Sequence, residues 1–247
     1  MERFLVACRY LTALPLPAGP EAGDLGRAAG WFPVVGLVLG LLLAAAALPV
    51  FGAAPAVVAS VLIVALWAFL TGGLHLDGLA DTADGLGAGF GREEALAIMR
   101  DARIGAYGVT AIALVLAAKW AALASLAPDL RWRGLILAPV LGRLGPLLLA
   151  RVCPPARGEG AGHAFAQAVS RPAVAAGALV ATAAAVALTG VWAAALLGLV
   201  AGLAVAFGSY LRWRLGGLTG DCLGALVEAS EAGSLVALSV LGHLGRL

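Results

Sequence analysis

Long apolar stretches, each close to the length of a membrane-spanning helix, follow one another along the chain. About 20 apolar helical residues cross a bilayer core. Runs of this length, bounded by charge or by Pro and Gly, predict six spans: Trp31–Phe51, Ala56–Gly72, Tyr107–Ala127, Gly134–Val152, Ala173–Trp192 and Ala193–Tyr210. The fifth and sixth spans abut at residues 190–192 and therefore require a tight helical hairpin. A seventh stretch, Ala232–Leu244, is short, and the pattern leaves open whether it is a tilted span or a re-entrant helix.

The pattern therefore predicts an all-α polytopic membrane protein with six to seven transmembrane helices, in which short cytoplasmic helices carry the polar motifs. Composition agrees, because the 247 residues are 62% hydrophobic and only 12% charged, whereas soluble domains are about 25% charged. The net charge of +2 does not indicate a nucleic-acid partner. No linker separates a second region, so residues 1–247 are predicted to form a single integral-membrane domain.

The basic residues predict the orientation of the spans. Cytoplasmic loops carry an excess of Lys and Arg, and placing the N-terminus inside leaves only Arg131, Arg133 and Arg246 outside. We therefore expect a multi-pass protein of the cytoplasmic (inner) cell membrane, in contact with lipid, with its active site facing the cytoplasm. Residues 2–14 are expected to form a short interfacial helix. The cytoplasmic side then receives Arg3, Arg9, Arg27, Arg92, Arg100, Arg103, Arg151, Arg157, Arg171, Arg212 and Arg214.

The densest polar segment, residues 72–108, carries an acidic stripe. Asp77, Asp81 and Asp84 recur at i, i+4 and i+7, which places their carboxylates on one side of a helix. Adjacent carboxylates repel, so we expect a compensating cation. Mg²⁺, for which Mn²⁺ could substitute, binds one or two carboxylates together with phosphate oxygens. The stripe thus predicts metal ligands for a diphosphate substrate, and Gly78 and Gly85 would let phosphates or a neighbouring helix approach the backbone.

Basic residues close to the stripe suggest phosphate binding. A second short helix, predicted over residues 92–103, ends with Arg100, Asp101 and Arg103, where two guanidiniums flank a carboxylate. This arrangement favours a phosphate clamp, and the alternative is a solvated connector. Lys119 and Arg143 fall inside predicted spans, where a charge indicates either function or a buried ion pair.

A second polar segment, residues 216–231, follows the sixth span. Asp221 and Glu228 share one helical face there, and the alternative is an amphipathic connector. Asp221 and Asp77 both follow cytoplasmic ends of spans, so they could converge on one mouth between helices. Because metal ligands are poor proton acceptors, we expect a general base from Asp101 or Asp221.

Five segments together resemble the cobalamin synthase family, whose members are adenosylcobinamide-GDP ribazoletransferases. They are YLTALPLP at 10–17, GGLHLDGLADTADGLGAG at 72–89, IMRDARIGAYG at 98–108, ARGEGAGHAF at 156–165 and GGLTGDCLGALVEASE at 216–231. The resemblance implies a Mg²⁺-dependent transfer at a membrane. In that reaction a ribose hydroxyl of α-ribazole, or of its 5′-phosphate, attacks adenosylcobinamide-GDP. GMP leaves, and adenosylcobalamin or its 5′-phosphate is formed in cobalamin biosynthesis.

The residue patterns and this resemblance together give the predicted site. The metal ligands are Asp77, Asp81 and Asp84. The catalytic residues are Asp101, Asp221, Arg100 and Arg103. Substrate binding is assigned to Gly78, Gly85, Lys119, Arg143, Arg157 and Glu228. Homo-oligomer formation is left open.

Two alternatives compete with this prediction. Residues 81–88 match the first half of the signature of CDP-alcohol phosphotransferases, but Gly89 stands at the Arg position and the second half is missing. That likeness supports shared chemistry on another nucleotide-activated substrate, and it leaves the fold relationship open. In a secondary transporter, Lys119, Arg143 and the acidic stripe would form an ion path. The acidic residues, however, cluster at a span end, and no inverted repeat is visible.

Overall fold

A computed structural model describes residues 2–16, 25–88 and 91–246. The described residues form helices and contain no β-strand, with 3₁₀ turns at Ala29–Trp31 and Gly190–Trp192. Pro17 and Gly89, each the last residue of a motif, lie outside the described residues. The helices are α1 (Glu2–Leu11), α2 (Leu25–Ala28), α3 (Phe32–Ala53), α4 (Ala56–Leu70), α5 (Leu74–Ala88), α6 (Arg92–Ile98), α7 (Ala106–Ser125), α8 (Pro128–Val152), α9 (Ala161–Ala168), α10 (Arg171–Thr189), α11 (Ala193–Leu215) and α12 (Gly220–His243).

The predicted all-α, multi-pass architecture is confirmed. By length and hydropathy, five stretches of the described chain can cross a bilayer, and a sixth is obtained if α4 and α5 are counted together. α8 lies at the centre, and nearly every residue from Gly134 to Leu149 is buried against α3, α10, α11 or α12. The five stretches are Leu25–Ala53, Ala106–Ser125, Pro128–Val152, Arg171–Leu215 and Gly220–His243.

The longest stretch, Arg171–Leu215, contains the tight hairpin expected from the sequence. Gly190 has φ +57°, which favours glycine and ends α10. Both arms then run along α8, since Gly177 of α10 packs against Leu147 and Gly208 of α11 packs against Leu149. The two helices are therefore antiparallel neighbours, and both pack against α8.

A sharp bend separates the predicted second span from the acidic stripe. Gly72 and Gly73 have φ of +62° and +71°, and they break the helix after α4, so that α5 leaves at 88° to it. The main chain is held at this bend, because the Ala13 amide donates to the Leu70 carbonyl at 2.8 Å. α5 consequently turns away from α4 and packs against α7 and α12.

The last helix is longer than the seventh stretch predicted from the sequence. Residues 220–243 form one continuous helix of 24 residues, which includes part of the second polar segment and the stretch that begins at Ala232. Its acidic residues Glu228 and Glu231 are buried, because they pair with Lys119 and Arg143 on neighbouring helices. Paired in this way, acidic side chains are compatible with a candidate span.

The bundle has two distinct ends. At the polar end, which holds Asp77, Arg157 and Asp221, the loops are tied together: the Arg92 side chain donates to the carbonyls of Leu215 and Ala156, each at 2.7 Å. At the far end, Arg131 lies over the Phe51 ring, Arg133 donates to the Leu188 carbonyl, and Trp192 donates to the Arg246 carbonyl.

Candidate active site

The acidic stripe on α5 meets the beginning of α12 through two glycines. A Cβ on Gly78 would lie 2.8 Å from the Asp221 carbonyl oxygen, so no side chain fits there. One turn further along α12, a Cβ on Gly224 would lie 3.3 Å from the His75 backbone. Of the two uses considered for Gly78, the structure shows the approach of a neighbouring helix.

This contact brings the two polar segments of the sequence to one cavity. The cavity has a volume of about 260 Å³, and both Asp77 and Asp221 line it, as does Gly78. The convergence expected from their positions at span ends is therefore observed. Most of the remaining wall is apolar. It is formed by Tyr10, Leu11, Phe32, Leu74, His75, Pro146, Ala161, Phe165, Gly220, Leu223, Gly224 and Val227.

Asp81 lies one turn along α5, close enough to Asp77 and Asp221 for their charges to act on its carboxylate. In the described part of the chain, no Lys or Arg side chain forms an ion pair with Asp77, Asp81 or Asp221. The described residues also contain no group of three Asp, Glu, His or Cys side chains placed to hold a metal ion. The expected set of three metal ligands on α5 is thus not assembled.

Asp84, the third acidic residue of the stripe, has other partners. Its two carboxylate oxygens accept hydrogen bonds from the amides of Gly105 and Gly108, at 2.7 and 2.8 Å. These amides belong to the first turn of α7, whose orphan N–H groups and positive dipole end favour a carboxylate. A Cβ on either glycine would strike the Asp84 carboxylate, at 2.4 Å. Asp84 therefore caps the beginning of α7 with both of its oxygens.

Gly85 also serves helix packing. A Cβ at this position would lie 2.4 Å from the Met99 side chain and 2.9 Å from the Ala95 carbonyl oxygen. The close approach of α6 therefore requires a glycine here. Of the two uses considered for Gly85, the structure again shows the approach of a neighbouring helix.

The expected phosphate clamp is divided between two surfaces. The helix predicted over residues 92–103 ends at Ile98, because the Asp101 carboxylate accepts from the Arg103 amide at 3.0 Å and closes a turn. The Arg103 guanidinium binds the same carboxylate at 2.6 Å, and this pair lowers the pKa of Asp101 to about 2. A carboxylate with so low a pKa is a weak proton acceptor.

Arg100 faces a different neighbour. It lines a cationic groove with Arg92 and Arg157, with a volume of about 350 Å³. Arg157 is fixed there because it donates to the Leu96 carbonyl at 2.7 Å. Burial and the nearby Arg100 charge lower the pKa of Arg157, while Asp221 acts in the opposite direction. Arg157 therefore lies between the groove and the carboxylate cavity.

The two cations predicted inside spans form a buried ion network. The Lys119 ammonium lies 2.7 Å from Glu228 and 2.5 Å from Glu231, and Arg143 pairs with the second oxygen of Glu231. None of these four side chains lines the cavity. Of the two alternatives for Lys119 and Arg143, the structure shows the ion pair, and Glu228 belongs to the same network.

Glu231 is the member of this network that sequence reasoning missed. It stands three residues after Glu228, on the same face of a helix. Two intramembrane cations require two anions, so the charge count together with this spacing was the available signal.

Comparison with known proteins gives the family. The model of the family described as cobalamin-5-phosphate synthase matches residues 3–239. The adenosylcobinamide-GDP ribazoletransferase of Ectopseudomonas mendocina is 44% identical over 239 residues, which cover 95% of this chain and 97% of that protein. Those of Geotalea daltonii and Syntrophobacter fumaroxidans are 38% and 40% identical, covering 98% and 93% of this chain and 98% and 95% of their own.

A search of solved structures gives no match. The family match, in contrast, spans nearly the whole chain, including the acidic stripe, the groove and the beginning of α12. The chain therefore belongs to the cobalamin-5-phosphate synthase family.

Proposed function

We propose that the protein is an adenosylcobinamide-GDP ribazoletransferase. It transfers the cobinamide-phosphate group of adenosylcobinamide-GDP to α-ribazole, or to its 5′-phosphate, and releases GMP. Relatives of 38 to 44% identity that cover nearly the whole chain carry this name. The observation that carries the proposal is the meeting of two distant polar motifs at one cavity, where Asp77 of α5 and Asp221 of α12 share a wall.

Asp221 is the proposed general base. A ribose hydroxyl of the acceptor gives its proton to the Asp221 carboxylate, and its oxygen forms a bond to the cobinamide-side phosphorus. The bond from that phosphorus to the bridging oxygen breaks, and GMP leaves. Asp221 is favoured over Asp101 for this step, because Asp101 is held by Arg103 and its pKa is about 2.

Asp77 and Asp81 are the proposed ligands of Mg²⁺ or Mn²⁺. Their carboxylates lie close together without a basic partner among the described residues, and two carboxylates with substrate phosphate oxygens suffice for this ion. When bound, the cation would neutralise charge on the transferring diphosphate. Asp84 is left out, because both of its oxygens already accept from backbone amides.

The cationic groove is the proposed position of the nucleotide part of the donor. Arg100 and Arg157 line it, and planar guanidiniums bind phosphate oxygens in pairs. Arg157 lies close enough to Asp221 for their charges to interact, so that phosphate held in the groove would lie near the carboxylate cavity. Arg103 faces another surface and contributes mainly by holding Asp101.

We further propose that the polar end faces the cytoplasm at the inner cell membrane. Arg92, Arg100 and Arg157 lie at this end, in keeping with the preference of basic residues for the cytoplasmic side. Side chains such as Phe69 and Leu179, which are 78% and 71% exposed, would contact lipid.

The proposal is tested with purified protein in detergent. Mixing adenosylcobinamide-GDP with α-ribazole should release GMP, which chromatography measures, and EDTA should abolish the release until Mg²⁺ or Mn²⁺ is restored. The matched controls are each substrate alone and the Asp221→Asn variant, for which a loss of about 10²–10⁴-fold in rate is expected. Failure to release GMP would contradict the proposed activity. Full activity in EDTA would contradict the proposed cation requirement.

A further inference from the structure

Three aromatic rings form one side of the carboxylate cavity. The rings of Tyr10 and Phe32 are stacked with centroids 6.3 Å apart, and those of Phe32 and Phe165 are stacked at 5.5 Å. They come from α1, α3 and α9, elements distant in sequence that meet only at the polar end. Phe32 and Phe165 are almost fully buried, so this aromatic wall is part of the packed interior.

Two acidic side chains also line the cavity. They are Asp77 and Asp221, and burial of Tyr10, with the nearby Asp221 carboxylate as the smaller cause, raises the pKa of the phenol. Carboxylates at the edge of an apolar pocket can accept hydrogen bonds from ribose hydroxyls, as they do in dinucleotide-binding proteins. The cavity thus combines an apolar lining with hydroxyl acceptors.

We propose that this cavity binds the acceptor nucleoside, with an apolar two-ring aromatic base among the apolar side chains beside Tyr10 and its ribose hydroxyls toward Asp221. The inference rests on the proposed function, because α-ribazole carries a base of this kind, a dimethylated benzimidazole. It adds to that function the place where the base binds and the residues that select it.

Size and polarity exclude the corrin and guanine parts of the substrates. The volume of about 260 Å³ lies at the lower end of small-molecule sites, which suits a single nucleoside and is too small for a corrin ring. Guanine would leave its hydrogen-bonding edge without partners against an apolar wall, at a cost of roughly 1–3 kcal/mol for each unsatisfied group. A neutral, apolar base meets none of these obstacles.

Ala161 is a suitable position at which to fill this cavity by substitution. It lines the cavity but is exposed at the beginning of α9, so a larger side chain there can fill the space without disturbing the core. Ala164, on the same helix, is also exposed and does not line the cavity. Ala161→Trp and Ala164→Trp therefore form a matched pair.

Binding of each substrate alone is measured by calorimetry, so that no turnover occurs. Ala161→Trp should weaken α-ribazole binding by at least about tenfold, as overfilling a packed site does, and Ala164→Trp should leave it within about twofold. Binding of adenosylcobinamide-GDP should be unchanged in both variants. Adenosine, a ribonucleoside with a polar base, should bind the wild-type protein at least about tenfold more weakly than α-ribazole. Ala161→Leu, a smaller addition, should reproduce the effect in part if the Trp variant does not fold.

The outcomes separate this inference from the proposed function. Wild-type protein that binds α-ribazole in the cavity but releases no GMP would contradict the function and leave the inference intact. Release of GMP with unchanged α-ribazole affinity in both Ala161 variants would overturn the inference alone. A loss confined to adenosylcobinamide-GDP would assign the cavity to the donor and would also overturn it. Equal affinity for adenosine and α-ribazole would refute selection by the apolar lining.

Discussion

Asp81 and Asp84 stand three residues apart on α5, yet their surroundings differ. The Asp84 oxygens accept two backbone hydrogen bonds and hold the first turn of α7 against α5. Asp81, like Asp77, has no basic partner among the described residues and experiences the charges of its acidic neighbours. A carboxylate with good partners stabilises the fold, whereas clustered carboxylates without them destabilise it until something positive binds. The two kinds of residue should therefore respond to neutralisation in opposite ways.

Asn substitutions separate the two roles. Asp77→Asn and Asp81→Asn should keep or raise the thermal midpoint, because they remove repulsion, while turnover falls by at least about 100-fold, the scale of a lost electrostatic contribution of ~3 kcal/mol. Asp84→Asn should lower the midpoint, because an amide can accept at only one of its two termini and one α7 amide loses its acceptor, at about 1–3 kcal/mol. GMP release and thermal unfolding are measured on the same preparations. A lower midpoint in all three variants, or wild-type turnover in Asp77→Asn and Asp81→Asn, would contradict this division.

At the scale of elements, the ion network joins three helices that carry charges into the apolar part of the bundle. α7 contributes Lys119, α8 contributes Arg143, and α12 contributes Glu228 and Glu231. The four formal charges balance, which suits a low-dielectric interior. Removing one partner of a buried pair is much more costly than replacing both, because it leaves an uncompensated charge.

Glu231→Gln tests this balance. The single variant leaves the four-membered network with an excess positive charge and should lower the thermal midpoint by roughly 6–20 °C, from about 3–5 kcal/mol at about 2–4 °C per kcal/mol. The double variant Arg143→Met with Glu231→Gln restores neutrality and should recover most of the loss. Unfolding in detergent, followed by circular dichroism, gives both midpoints. If the double variant were less stable than the single one, charge balance would not be what the network provides.

The sequence predicted the elements better than their connections. Apolar runs located α3, α4, α7, α8, α10 and α11, because length and hydropathy are local properties. The continuity of α12 was missed, because Glu228 and Glu231 are acceptable in a span only when Lys119 and Arg143 lie beside them, which is a tertiary fact. The capping role of Asp84 was missed for a similar reason: its spacing matches that of Asp77 and Asp81, but the amides it caps are 21 and 24 residues away.

The whole molecule separates its chemistry from its anchoring. The cavity and the groove lie at the polar end, and the far end holds short connections around Phe51, Leu126 and Trp192. α7 alone separates the two ends by its 20 residues, about 30 Å at 1.5 Å per residue. A site at one end of such a bundle can receive substrates from one side of the membrane only.

Sidedness is tested by single cysteines at Ala102 and Asp129, which are both exposed and lie on either side of α7. In a background lacking Cys8, Cys153 and Cys222, a membrane-impermeant thiol reagent added to intact cells should label Asp129→Cys and should not label Ala102→Cys. Permeabilised cells, where both should react, provide the control. Labelling of Ala102→Cys from outside would reverse the proposed orientation.

The ion network also implies a delay during synthesis between the insertion of its cations and the arrival of their anionic partners. Arg143 and its partner Glu231 are 88 residues apart, which a ribosome needs roughly 4–18 s to translate at about 5–20 residues per second. During that interval α7 and α8 are already made, each with a cation that costs about 2.5–3.5 kcal/mol at the centre of a bilayer. The nascent chain must therefore keep these two helices near the insertion machinery, or near water, until α12 emerges. α12 thus supplies Asp221 to the cavity and also the two carboxylates that allow α7 and α8 to enter the apolar part of the bilayer.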